Sequence, residues 1–133
     1  MLAELRAIHE ELLAVIGELD QLTQDDVPNQ SAVAGARARL GRASGKRRAL
    51  FDMACNYLGK TATPADAQKI RSLRDLNATQ LESSTKHIGA WGLRQLVQDW
   101  PEYVHTAAPM RQSMRDLIAA DRGVLLPMLE RAR

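Results

Sequence analysis

An all-α fold, an up-down-up-down antiparallel bundle of four helices, is what the sequence predicts, and three observations predict it. Apolar residues recur at alternating steps of three and four in four successive stretches. Nowhere is there sustained period-two alternation, or an Asn-Gly or Asp-Gly hairpin turn. Two Trp, two Tyr and one Phe in 133 residues are few for a β-sandwich or barrel, whereas the helix formers Ala, Leu and Arg abound. A chain of this length encloses one core, so residues 1–133 are expected to form a single domain.

The first helix is predicted over residues 2–22, with the seam Leu2, Leu5, His9, Leu12, Ile16 and Leu19. Asp25, Asp26, Pro28, Asn29 and Gln30 make a polar turn, and Ser31 is the expected cap of a second helix reaching Leu58. Its seam runs Val33, Ala36, Leu40, Ala43, Arg47, Leu50, Ala54 and Tyr57, and Gly59 ends it. Thr63-Pro64 starts a third helix, because proline loses nothing in a first turn whose N–H groups have no partner. Its seam is Ile70, Leu73, Asn77, Leu81, Ser84, Ile88 and Trp91, continuing to near Val97. Asp99-Trp100-Pro101-Glu102 reads as a cap and new first turn. The fourth seam is Tyr103, Ala107, Met110, Met114, Leu117, Asp121, Val124 and Met128, with a kink expected at Pro109 and a disturbance at Pro127.

Bulk properties narrow the function classes. Cys55 is the only cysteine, so an intrachain disulfide and a cysteine-rich zinc site are both excluded. No stretch approaches the ~20 apolar residues of a membrane span, and the acidic start does not resemble a signal peptide. A cytoplasmic protein with no membrane association is expected. Residues 4–26 carry seven acids and one base, whereas residues 31–51 carry Arg37, Arg39, Arg42, Lys46, Arg47 and Arg48 and no acid. Antiparallel packing of these two helices would neutralise both, and without interleaved aromatic residues nucleic acid is not an expected partner. Gly35, Gly41 and Gly45 lack the preceding strand of a phosphate loop and are expected to serve close helix packing. His87 and His105 lie near the far end, each one position off its seam, and read as partly exposed surface histidines.

Three ionisable residues interrupt the seams: His9, Arg47 and Asp121. At about 1.5 Å of rise per residue they converge on one layer, roughly 10 to 18 Å from the end where the chain starts. Ionisable groups in a core cost several kcal/mol unless paired or metal-bound, so the layer marks a site or its remnant.

The run from Asp116 to Leu129, with Asp121 followed by an apolar stretch ending in Pro127, resembles the last helix of the hemerythrin-like cation-binding family. Ala7-Ile8-His9-Glu10-Glu11 is similar to that family's opening histidine in its setting, and His87 to Trp91 with Asp99 to Tyr103 resembles divergent bacterial members. The resemblance implies a di-iron centre held by histidines and carboxylates inside a four-helix bundle. Carried onto this chain, it leaves His9 in place, but Leu117 stands where a histidine is expected and Asp121 where a glutamate is. Ala43 and Arg47 occupy the equivalent pair in the second helix. One imidazole and one shortened carboxylate cannot hold two irons.

The expectation is therefore a non-enzymatic hemerythrin-like bundle with a degraded di-iron site, a binding, sensing or regulatory role and no cofactor. His9, Arg47 and Asp121 would form the buried polar layer that replaced the metal. The alternative is an iron- or oxygen-binding protein with the altered ligand set His9, Asp52 and Asp121. A protein partner or self-association is open, Trp91, Trp100 and Tyr103 being the candidate surface for the latter.

Overall fold

A computed structural model describes residues 1–133. The chain is helical throughout and has no strand: α1 (Leu2–Leu22), α2 (Gln30–Gly59), α3 (Pro64–Ala90), α4 (Leu93–Gln98), α5 (Trp100–Ala120) and, after a π turn over Asp121–Leu125, α6 (Leu126–Arg131). No helix is long and apolar enough to cross a membrane.

Helix starts follow from side chains that satisfy otherwise unpaired amides. Asn29, and not Ser31, caps α2, its side-chain oxygen accepting from the Ala32 amide at 3.2 Å. Thr63 caps α3 in the same way through the Asp66 amide at 3.2 Å, with Pro64 in the first turn. Asp99 starts α5 without a side-chain bond, its backbone carbonyl accepting from the Tyr103 amide.

The third predicted helix is broken. Backbone angles at Trp91 (φ −116°, ψ 66°) leave the helical region, and Gly92 begins the short α4. Arg37 donates to the freed Trp91 carbonyl. The break turns Leu96 and Trp100 inward, where they pack with Val33, Tyr103 and Ala107. The Trp100 indole N–H donates to the Asp25 carbonyl at 2.8 Å, tying the α1–α2 turn to the start of α5. Trp100 and Tyr103 are thus buried and Trp91 half-buried, so they form an internal cluster and not an exposed surface for self-association.

α5 continues through Pro109, and a π turn stands just before Pro127. Proline at 127 has no N–H for the carbonyl of Gly123 and its ring crowds that carbonyl, a conflict that a wider turn relieves. The wider turn also shifts the inward face by one residue, so Leu125 is fully buried where Val124 was expected.

Neighbouring helices run antiparallel. Glu18 meets Arg39 while His9 lies level with Arg47, so α2 descends as α1 rises. Asp20 meets Arg111 while Arg6 meets Glu130, which sets α1 against α5 and α6 in the same sense. Arg47 meets Asn77 and Asn56 meets Arg74 between α2 and α3. The main core joins Leu5, Leu12 and Ile16 of α1 to Phe51 and Ala54 of α2, Ile70 and Leu73 of α3, and Leu117 and Leu125 beyond. Burial of such side chains, about 1.5–3 kcal/mol each, is the main stabilising term.

Two seams depart from expectation. Tyr57 is exposed. On α3 the buried residues are Ile70, Leu73 and Gln80, while Leu81 and Ile88 are 40% and 58% exposed. The inward face of α3 therefore runs Ile70, Leu73, Asn77, Gln80, Ser84, His87, apolar in its first half and polar in its second.

The glycines of α2 do not serve close packing. A methyl group added at Gly35 or Gly41 would meet nothing within 4 Å, and at Gly45 only the end of Arg48. Gly35 is exposed in mid-helix, where glycine costs about 0.5–1 kcal/mol relative to alanine. Gly35→Ala should raise the stability measured by urea titration by about that amount; a loss of stability would show a neighbour that this packing does not contain.

Candidate functional site

The core layer around His9, Arg47 and Asp121 is built from three helical segments. Each residue sits among apolar neighbours on its own inward face: His9 between Leu5 and Leu12, Arg47 between Ala43 and Leu50, Asp121 between Leu117 and Leu125. His9 and Asp121 are fully buried, and Arg47 is 1% exposed.

Arg47 grips the Asp121 carboxylate with two parallel bonds, Nε to Oδ2 and Nη2 to Oδ1, each 2.9 Å. Such a bidentate pairing is among the stronger hydrogen-bonded ion pairs, and it fixes the angle of both groups. His9 Nε2 lies 2.8 Å from Asp121 Oδ2, so that oxygen accepts from two helices at once. The third guanidinium nitrogen, Nη1, donates to Asn77 Oδ1 at 2.8 Å, and the Asn77 amide nitrogen donates to the Leu73 carbonyl at 2.8 Å. Phe51 packs beneath the Arg47 guanidinium at 5.4 Å.

His9 Nδ1 is buried with no hydrogen-bond partner. A proton there would be an unpaired donor in the core, whereas a proton on Nε2 is used by Asp121. A proton on Nε2 therefore serves the Asp121 carboxylate and leaves Nδ1 an acceptor without a partner.

The same geometry tests the site for iron. No group of three or more His, Cys, Asp or Glu side chains comes together in a way that could hold a metal ion. Asp121 already has both oxygens engaged by a guanidinium, and a metal cation beside it would sit against that positive charge. Asp52, required by the alternative ligand set, is not in the layer. Its side chain is 64% exposed and lies 3.7 Å from Arg74 on the outer surface between α2 and α3. The residues present do not fit a di-iron centre.

A second polar cluster escaped the sequence reading. Arg111 is 8% exposed, donates to Asp20 at 2.7 Å and to the Thr23 hydroxyl at 3.1 Å, and Arg115 also bonds Asp20. Burial opposes ionisation of Asp20, but the hydrogen bonds from Arg115 and Arg111 outweigh it and hold its carboxyl below the ordinary value. Arg111 and Arg115 are one turn apart beside the seam residue Met114, a spacing that marks one helix face but gives no inward direction.

Charge pairing also differs from expectation. Glu18–Arg39 is the ion pair between α1 and α2, whereas Arg6–Glu130, Arg122–Glu10 and the Asp20 cluster tie α1 to the C-terminal helices. Within the basic run of α2, Arg47 lies in the core, Arg37 and Arg48 are half-buried, and Arg39, Arg42 and Lys46 are exposed at helical steps of three and four, Arg39 being paired with Glu18. Burial pushes the Cys55 thiol up to about 11, so it is not a ready nucleophile. His105 is exposed, while His87 is half-buried and stacks on Tyr103 with ring centres 5.9 Å apart.

No family model matches the chain, and none of the curated proteins or solved structures searched resembles it closely enough to count as a match.

Removing one partner of a buried ion pair strands the other charge in the core, at a cost of about 3–5 kcal/mol. Arg47→Met should destabilise by that amount in urea unfolding, and Arg47→Met with Asp121→Leu should recover most of the loss. A single variant costing under about 1 kcal/mol would mean that the pair is solvated like a surface salt bridge.

Proposed function

We propose that this chain is a hemerythrin-like up-down-up-down four-helix bundle in which an internal salt bridge stands where a di-iron centre would be. It is a non-enzymatic protein with a binding, sensing or regulatory task. The observation that carries this reading is the bidentate Arg47–Asp121 pair with His9 on the same carboxylate. The positions that the resemblance assigns to metal ligands, Ala43, Arg47, Leu117 and Asp121, are all buried, together with His9. Of these five, only His9 and Asp121 carry groups that could bind a metal. The antiparallel order of the long helices further supports the bundle.

An arginine exchanged for a ligand carboxylate removes a metal-binding group and supplies the positive charge that the remaining carboxylate needs. One substitution thus abolishes the centre and keeps the layer neutral, which explains how an interior built for ions stays folded without them.

The test is metal content with an optical spectrum. Protein purified after growth with added iron, and protein reconstituted anaerobically with ferrous iron and then exposed to oxygen, should hold far less than one iron per chain and show no ligand-to-metal band. Stoichiometric iron with such a band would overturn the proposal. A variant carrying Ala43→His, Arg47→Glu, Leu117→His and Asp121→Glu should gain ferrous iron binding if these positions descend from ligands, and no gain would remove that support.

A further inference from the structure

One turn beyond the ionic layer, toward the α4 end, the interior is not filled. Ser44 precedes Arg47 by one turn, Gln80 follows Asn77 by one turn, and Met114 lies two turns before Asp121. All three border a cavity of about 250 Å³ enclosed by α1, α2, α3 and α5. On this wall α2 places the small residues Gly41 and Ser44 among Arg37, Leu40 and Arg48, and α3 turns its polar face inward.

Its chemistry is one-sided. Ile16, Leu19, Met110 and Met114 form an apolar floor, and Leu81 and Ile88 stand partly exposed around the mouth. Arg37, Arg48 and Arg111 border the space, and no Asp or Glu does. Asp20 neutralises Arg111 from behind, and Arg37 donates to the Trp91 carbonyl while lying over the Tyr103 ring. Neither Arg37 nor Arg48 has a carboxylate partner. Burial, and then the positive charges of Arg37 and Arg111, hold His87 below the ordinary imidazole value, as expected in a pocket of positive potential.

Two further groups await a partner. Ser44 and Gln80 are 8% and 9% exposed, line the cavity, and have no protein hydrogen bond from their side chains. Among buried side-chain polar atoms only His9 Nδ1 lacks a partner, so the Ser44 hydroxyl and the Gln80 amide are open to the cavity and free to bond a ligand's polar end.

We propose that this cavity binds a small amphiphilic carboxylate, its aliphatic or aryl body on the floor formed by Ile16, Leu19 and Met114 and its anionic head held by Arg48, Arg37, Ser44 and Gln80. The volume lies just below the ~300–1,000 Å³ of sites for drug-sized ligands, which selects a short chain. The absence of any acidic wall residue selects an anion over a cation or a neutral alcohol.

The proposal is tested by calorimetric titration of the intact protein with octanoate, octanol and octylammonium. Octanoate should bind saturably at one per chain, at least tenfold more tightly than octanol, and octylammonium should show no binding. Arg48→Met should weaken octanoate at least tenfold and narrow its preference over octanol, while the helical circular dichroism stays unchanged. Gly41→Leu, placed where an added side chain enters open space, should abolish binding. No saturable octanoate binding to the unaltered protein, equal affinity for octanol or octylammonium, or undiminished binding in Arg48→Met would each overturn the assignment. These outcomes are independent of iron content, so the cavity stands or falls separately from the metal-site reading.

Discussion

The carboxylate of Asp121 is the constraint on which the interior depends. A fully buried carboxylate stripped of its partner would cost about 3–5 kcal/mol, a large share of the ~5–15 kcal/mol that separates a folded domain from its unfolded chain. It is held by Arg47 from α2 and His9 from α1, and Arg47 passes its remaining hydrogen bond to Asn77 on α3. α1, α2, α3 and the π turn are therefore joined by one chain of hydrogen-bonded side chains. Apolar contacts are tolerant of small slides between helices, but a bidentate ion pair is not. The height and rotation of α1, α2, α3 and the C-terminal segment are fixed at this layer, and the packing on either side follows from it.

The layer was legible because seam spacing is a statement about direction. His9, Arg47 and Asp121 each occupy a step of three or four in a run of apolar residues, and helix rise places them at similar heights. What spacing could not supply was the bond pattern: it puts Phe51 one turn from Arg47 and Asn77 on an inward face, but not that the Arg47 guanidinium stacks on the one and donates to the other. Asp52 was misplaced for a related reason. It is five residues from Arg47, a step that moves a residue to the opposite side of the inward stripe, and a carboxylate there reaches solvent and Arg74.

Misreadings gather where two physical demands compete. On α3, choosing the apolar residue at each step selects Leu81 and Ile88, while strict alternation from Asn77 selects Gln80, Ser84 and His87, and the helix follows the latter. At Asp121–Leu125 the crowding of Pro127 forces an extra residue into one turn, which a period of 3.6 cannot foresee. The same two places shape the interior: the polar half of α3 forms a wall of the cavity, and the π turn carries the carboxylate of the ionic layer.

The nitrogen-15 spectrum of the His9 imidazole, recorded before and after addition of one equivalent of ferrous iron or zinc, reads this layer directly. A proton on Nε2, a bare Nδ1 and no change on adding metal are the result expected of a ring whose one bonded nitrogen serves an ion pair. A proton on Nδ1, or a metal-dependent shift or broadening of the ring signals, would show that Arg47 has not taken the metal's place.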